Sequence, residues 1–188
     1  QEIKGEYIDG GFWGRDVLLY RHGEWEILLD TYTTSSGSGS SSSSQTYTRM
    51  RAPFINKDNL HFKIYRESIF SPIGKFLGMQ DIEIGHSFFD NEYVIKGNNE
   101  GQIKKLFANE RLRRLIEYQP GVHFEIRDDE GFFSTNFPNG VDELYFQTSG
   151  TLTDKSTLRA LFELFALTLE QLVEIDSAYE NDPGISLV

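Results

Sequence analysis

The sequence predicts one α+β domain. It has a largely antiparallel sheet of roughly seven to nine strands, short helices mid-chain, and a long C-terminal helix packed on one face. Three observations carry that expectation. Short runs of alternating apolar and polar residues, separated by turn residues, recur along the chain. Near the end the spacing changes, and Leu158, Leu161, Phe162, Phe165, Leu169, Leu172 and Ile175 recur at helical intervals. The chain has 188 residues, 38% of them hydrophobic, with 15 Phe and 9 Tyr, enough for a single aromatic-rich core. The first half carries mainly hairpins and the second a strand–helix–strand–helix order, which argues against a parallel βαβ array.

In chain order, the segment GEYIDGGFWG places four glycines around Phe12 and Trp13. It reads as an irregular opening segment with an aromatic tip, either a lid over one end of the core or an exposed aromatic contact. Phe12 and Trp13 are therefore the candidate binding residues. Arg15–Arg21 and Glu24–Thr33 read as strands joined at His22-Gly23, where glycine accepts positive φ. Residues 34–45 are rich in Gly and Ser, have nothing to bury, and predict a disordered loop. That loop joins two antiparallel neighbours, Glu24–Thr33 and Thr46–Phe54. A linker between domains is the alternative, but the ~33 residues before it are too few for an independent domain.

Leu60–Glu67 alternates Leu60, Phe62 and Ile64 against His61, Lys63 and Tyr65, a strand with one wet face. Ser71-Pro72 opens a short helix and Gly78 ends it. Asp81–Ile84 and Tyr93–Ile95 are short strands. Asn99 caps a helix with Gln102 in the capping-box position, and Ile103, Leu106 and Phe107 mark its apolar face. A second helix follows Asn109, with Leu112, Leu115 and Ile116 inward and Arg111, Arg113 and Arg114 mostly outward. Val122–Arg127, Gly131–Phe137 and Asp142–Gln147 are further strands, with turns at residues 128–131 and 137–140. The last helix spans Asp154–Tyr179, capped by Thr153 or Asp154. Leu164, Leu167 and Val173 widen its stripe, so it is buried on more than one side, against the sheet or also against a second copy. From Glu180 the tail frays.

Composition excludes several functions. A net charge of −11 argues against nucleic acid, which needs a cationic face, and disfavours broad contact with an anionic membrane. With no Cys, disulfides, thiolate metal sites and Cys nucleophiles are all absent. No apolar run is long enough to span a bilayer. The chain starts at Gln1 without Met and reads as a fragment, which leaves a preceding anchor open.

Residues 85–116, GHSFFDNEYVIKGNNEGQIKKLFANERLRRLI, resemble bacterial domain-of-unknown-function families. The shared pattern is a Phe-Asp pair (Phe89-Asp90), an aromatic and β-branched strand (Tyr93 to Ile95), a polar turn (Asn98-Asn99) and a leucine-rich helix (Leu112 to Ile116). The likeness extends through VHFEIRDDEGFFS and the closing helix, over about the second half of the chain. Members often sit behind transmembrane helices. The resemblance implies a soluble domain attached to a membrane protein, and it carries over no catalytic residues.

No reaction is legible. His22, His61, His86 and His123 lie on separate elements without metal-ligand spacing, so no metal site or cofactor is assigned. The consecutive Asp128-Asp129-Glu130 lacks the alternation of a calcium loop. No nucleophile elbow, phosphate loop or dinucleotide fingerprint occurs. The Arg111, Arg113, Arg114 cluster is a solvated face paired with Glu110 and Glu117, or else a contact for a phosphate or lipid headgroup. Three functions follow, in falling order: an interaction or scaffold domain of a membrane-associated bacterial protein, a lipid or small apolar ligand-binding domain, and an enzyme using scattered His and carboxylates. The second expects its pocket between the sheet and the C-terminal helix. The partner is thus a protein or a small apolar molecule.

Overall fold

The computed structural model describes residues 5–8, 16–36, 43–66, 79–128 and 137–187. These form an α+β domain. The strands are β1 (Glu6–Ile8), β2 (Val17–His22), β3 (Trp25–Ser36), β4 (Ser43–Asn56), β5 (Phe62–Arg66), β6 (Gln80–Asp81), β7 (Tyr93–Gly97), β8 (His123–Arg127), β9 (Val141–Ser149) and β10 (Ala178–Tyr179). The helices are α1 (Ser87–Glu92), α2 (Glu100–Phe107), α3 (Glu110–Glu117) and α4 (Lys155–Glu174). All pairings among the described residues are antiparallel, in the order β1-β2-β3-β4-β9-β8-β5-β7-β6. β9 already pairs β4 at Ile55, so β10, paired to Ile55 and Asn56, extends the β3 side of β4.

Strand alternation sorts side chains onto two faces. One carries Trp25, Ile27, Met50, Ala52, Phe54, Phe62, Ile64, Phe124, Ile126, Leu144 and Phe146, all buried in one cluster. Phe89 of α1, Ile103, Leu106 and Phe107 of α2, Leu112 and Ile116 of α3, and Leu161, Leu164, Phe165, Leu169 and Leu172 of α4 join that cluster. The four helices therefore lie on this face. Phe62 sits edge-on to Phe107 and Phe124, with centroids 5.2 and 5.5 Å apart. Gly97 lets α2 approach β7: a Cβ there would lie 2.0 Å from Ile103 Cδ1 and 3.0 Å from the His61 carbonyl oxygen.

The opposite face carries charge, and much of that charge is buried. Along one cross-strand row stand Arg51, Tyr145, Glu125, Lys63, Lys96 and Asp81. Asp30 accepts from Arg49 Nε at 2.8 Å, and Glu143, with no exposed surface, accepts from Arg127 Nε at 2.8 Å. The guanidinium of Arg127 lies 3.5 Å over the Tyr145 ring, and burial pushes the Tyr145 phenol far up. Lys63, read from sequence on a wet face, is buried and sits 3.4 Å from Glu125. Burial alone would raise the Glu125 carboxyl, but the His123 hydrogen bond and the charges of His123, Lys63 and Arg127 outweigh it and hold it low. At Lys63 burial, with Arg127 adding to it, outweighs the attraction of Glu125, so its ammonium pKa falls.

Several local readings are corrected. The β3–β4 ladder continues to Ser36↔Ser43, into the segment read as loop, because Thr and Ser keep pairing once the register is set. The first hairpin turns at Gly23-Glu24, with His22 and Trp25 paired, one residue later than read. Residues 87–92, given no element from sequence, form a helix; Asp90 accepts from the backbone N–H groups of Ile84, Gly85 and His86 at 2.9 Å and folds the chain into it. In residues 81–84 only Asp81 is strand. Arg113 points inward, donating to the carbonyls of Phe107 and Ala108 at the end of α2. The long helix stops at Glu174, not Tyr179: Asp176 takes φ 65°, and its N–H and that of Ser177 return to the carbonyls of Val173 and Leu172. This is the left-handed helix terminus usually marked by Gly, here built with Asp. The short helix expected from Ser71 to Gly78 and the strand body at residues 131–136 lie outside the described residues.

Candidate functional site

Phe12 and Trp13 lie outside the described residues, so the site is built from other side chains. Its scaffold is α4, whose start is fixed by Asp154: the carboxylate accepts from the Thr157 N–H and hydroxyl at 2.8 Å and from the Ser156 hydroxyl at 2.5 Å. Those bonds, the Ser156 hydroxyl foremost, pull the Asp154 carboxyl down to about 2. Beside α4 lies α3, capped by Asn109, which accepts from the N–H groups of Arg111 and Leu112 at 3.0 and 3.3 Å. On the other flank is β2, whose Tyr20 ring meets Phe162 edge-on at 5.7 Å.

Between these elements runs an open trough made of two cavities. One, about 700 Å³, lies between α3 and the start of α4 and is floored by Leu115 and Ala160. The other, about 530 Å³, lies between β2 and α4 and is floored by Phe162, Ala166 and Leu167. Both fall in the range of about 300–1,000 Å³ usual for small-molecule sites. Arg111, Arg159 and Glu163 line both, so the cavities adjoin. Arg111 Nε donates to Glu163 Oε1 at 2.5 Å across that junction, and both side chains stay largely exposed, which places the bridge on the rim.

The charges sort simply. In the larger cavity Arg114 pairs with Glu110, Arg111 with Glu163, and Asp154 is held by its cap bonds. Lys155 and Arg159, which line the same cavity, carry no ion pair among the described residues. At the far end of the smaller cavity His22 Nε2 meets Glu170 Oε1 at 2.9 Å. The two cavities lie along the flanks of α4, against α3 and β2, rather than between the sheet and C-terminal helix, where a pocket was expected. The middle of that interface is filled by Leu161, Leu164, Phe165, Leu169 and Leu172, each without exposed surface.

The histidines fall at separate places, three of them beside a carboxylate. Besides His22, His123 meets Glu125 at 3.0 Å, and His61 Nε2 lies 3.3 Å from Asp142 Oδ2. His61 Nδ1 lies 3.0 Å from the Asn59 carbonyl, so the proton on Nδ1 faces that oxygen. Burial raises the Asp142 carboxyl even though Asn56 donates to it and His61 lies close. His22–Glu170 and His61–Asp142 join residues far apart in the sequence, where no spacing could flag them, whereas His123 and Glu125 lie two residues apart on β8. Among the described residues no group of three or more His, Asp or Glu could hold a metal ion, and no helix is long and apolar enough to cross a membrane. The Arg111 to Arg114 cluster was the one signal of the trough legible in sequence. Arg159, Lys155 and Ala166 were missed, and Leu167 was read only as widening the helix stripe, because the trough forms only where three separate elements meet.

No protein-family model and no curated protein matches the chain. Among solved structures, the crystal structure of the mycobacterial trehalose monomycolate transport factor A, TtfA, is similar at a TM-score of 0.47 and 10% identity, over 91% of this chain and 86% of that one. At that score and identity nothing of TtfA's role transfers to this chain.

Proposed function

We propose that this chain is a binding domain for an apolar or amphiphilic small molecule, held in the trough along the outer flank of α4. One observation carries the reading. The trough joins an apolar floor of Leu115, Ala160, Phe162, Ala166 and Leu167 to a charged rim, while the core beneath α4 is closed. An apolar floor provides affinity by removing ligand surface from water, at about 25 cal/mol per Å². A charged rim orients the ligand. Calorimetric titration with oleate and with monoolein tests it. The expected result is saturable one-to-one binding of at least one of the two, lost in Ala166→Arg, whose side chain fills the floor. Absence of binding by both, or wild-type binding in the variant, overturns it.

The interaction or scaffold domain of a membrane-associated bacterial protein is the second reading. It is favoured by Phe88, 66% exposed, and by Tyr118, 54% exposed at the trough's edge, since exposed aromatic rings are common anchors for protein partners. It rests further on the resemblance around Phe89-Asp90 and Tyr93. It predicts an in-frame membrane anchor in the full-length gene, and a gene without one counts against it.

A further inference from the structure

We infer that the trough's ligand is a single-chain amphiphile with an anionic head. The head lies at the Lys155–Arg159 end, and the tail passes under the Arg111–Glu163 bridge toward Phe162 and Leu167. The inference rests on the trough being the ligand site. Charge gives the head its place: the chain carries −11 overall, yet the two trough cations without an ion pair among the described residues, Lys155 and Arg159, both line its larger cavity. The larger cavity has four bases, Arg111, Arg114, Lys155 and Arg159, against three acids, Glu110, Asp154 and Glu163. Every acid there already has a partner, so the surplus is cationic. An anionic head takes charge-assisted hydrogen bonds from Arg159 and Lys155 without breaking an existing pair.

The other compartment gives the tail its place. Its one cation beyond the bridge is Arg159 at the junction, and its remaining walls are Tyr20, Phe162, Ala166 and Leu167, closed off by the His22–Glu170 pair. Lys155, Arg159, Phe162, Ala166 and Glu170 follow one another along a single side of α4 at spacings of three and four residues, so head and tail share one continuous path. The stretch from Lys155 to Glu170 is about 22 Å long at 1.5 Å per residue.

The test is calorimetry with octyl, dodecyl and hexadecyl phosphate below their micelle concentrations, with dodecanol and inorganic phosphate as controls. In the wild type, affinity rises with chain length, and dodecyl phosphate binds at least about tenfold more tightly than dodecanol, the worth of one strong charge-assisted contact. Lys155→Gln with Arg159→Gln removes that preference and leaves dodecanol unchanged. Leu167→Arg weakens hexadecyl phosphate more than octyl phosphate. Dodecanol binding as well as dodecyl phosphate, with no effect of the double variant, overturns the head assignment while the trough stands. Inorganic phosphate binding as tightly as the alkyl phosphates shows an anion site alone and also overturns it. If no amphiphile binds, the trough reading itself fails.

Discussion

The two sides of α4 are built for opposite tasks. Toward the sheet it presents Leu161, Leu164, Phe165, Leu169 and Leu172, all without exposed surface, and the Thr168 hydroxyl donates back to the Leu164 carbonyl at 2.6 Å. Away from the sheet it presents Ala160, Ala166 and Leu167, half-buried and small enough to leave the trough open between α3 and β2. A wide apolar stripe on one helix therefore need not mean a wider core. Here part of it fills a core and part lines a groove. The inner face is Leu and Phe beside Thr168, while on the outer one Ala160 and Ala166 interrupt Phe162 and Leu167.

The comparison is broken most severely on the inner side. Phe165→Ala removes a fully buried ring 5.8 Å from Phe124 and is expected to cost about 3–5 kcal/mol, read as a lower urea midpoint with little change in slope. Loss below about 1 kcal/mol would mean the inner face is loosely packed and the contrast false. Smaller is the effect of Asn109→Ala, which unties the start of α3 and with it one wall of the trough. Stability should fall by about 1 kcal/mol in the same measurement, with Asn109→Asp retaining most of it.

The mildest probe is acid. Asp154 has a folded-state pKa near 2 against an ordinary value of about 3.9, so its ionised form favours the folded state. By linkage, its stabilising contribution is present above about pH 4 and is lost as pH falls through about 2. The Ser156 and Thr157 amide resonances should titrate with a midpoint near 2 and stop titrating in Asp154→Asn. A midpoint near 4 would show the cap bonds to be weak in solution.

The fold was largely legible because each signal is local. Alternation gave the strands, the helical repeat gave α4, and Asn99 and Asn109 announced the starts of α2 and α3 by capping. Where local rules were broken, reading failed. Asp176 ends α4 in a left-handed conformation that sequence leads one to expect of Gly. Gln102 occupies the capping-box position but turns its side chain to the Ile175 carbonyl and the Ser177 hydroxyl, tying α2 to the end of α4. Lys63 looked solvated because its partner, Glu125, sits on another strand. The trough was the least legible feature. Arg111 meets Glu163 across 52 positions, and Tyr20 meets Phe162 across a greater separation still.

The contrast between the two sides of α4 meets its most direct test in amide and methyl shift mapping of the intact chain on addition of dodecyl phosphate. Shifts are expected at Lys155, Arg159, Phe162, Ala166 and Leu167 of α4 and at Leu115 of α3, leaving Phe62, Phe124 and Phe146 in place. Shifts centred on those three core rings, or on the buried charges Glu125 and Glu143 of the far face, would contradict the assignment of binding to the outer flank of α4.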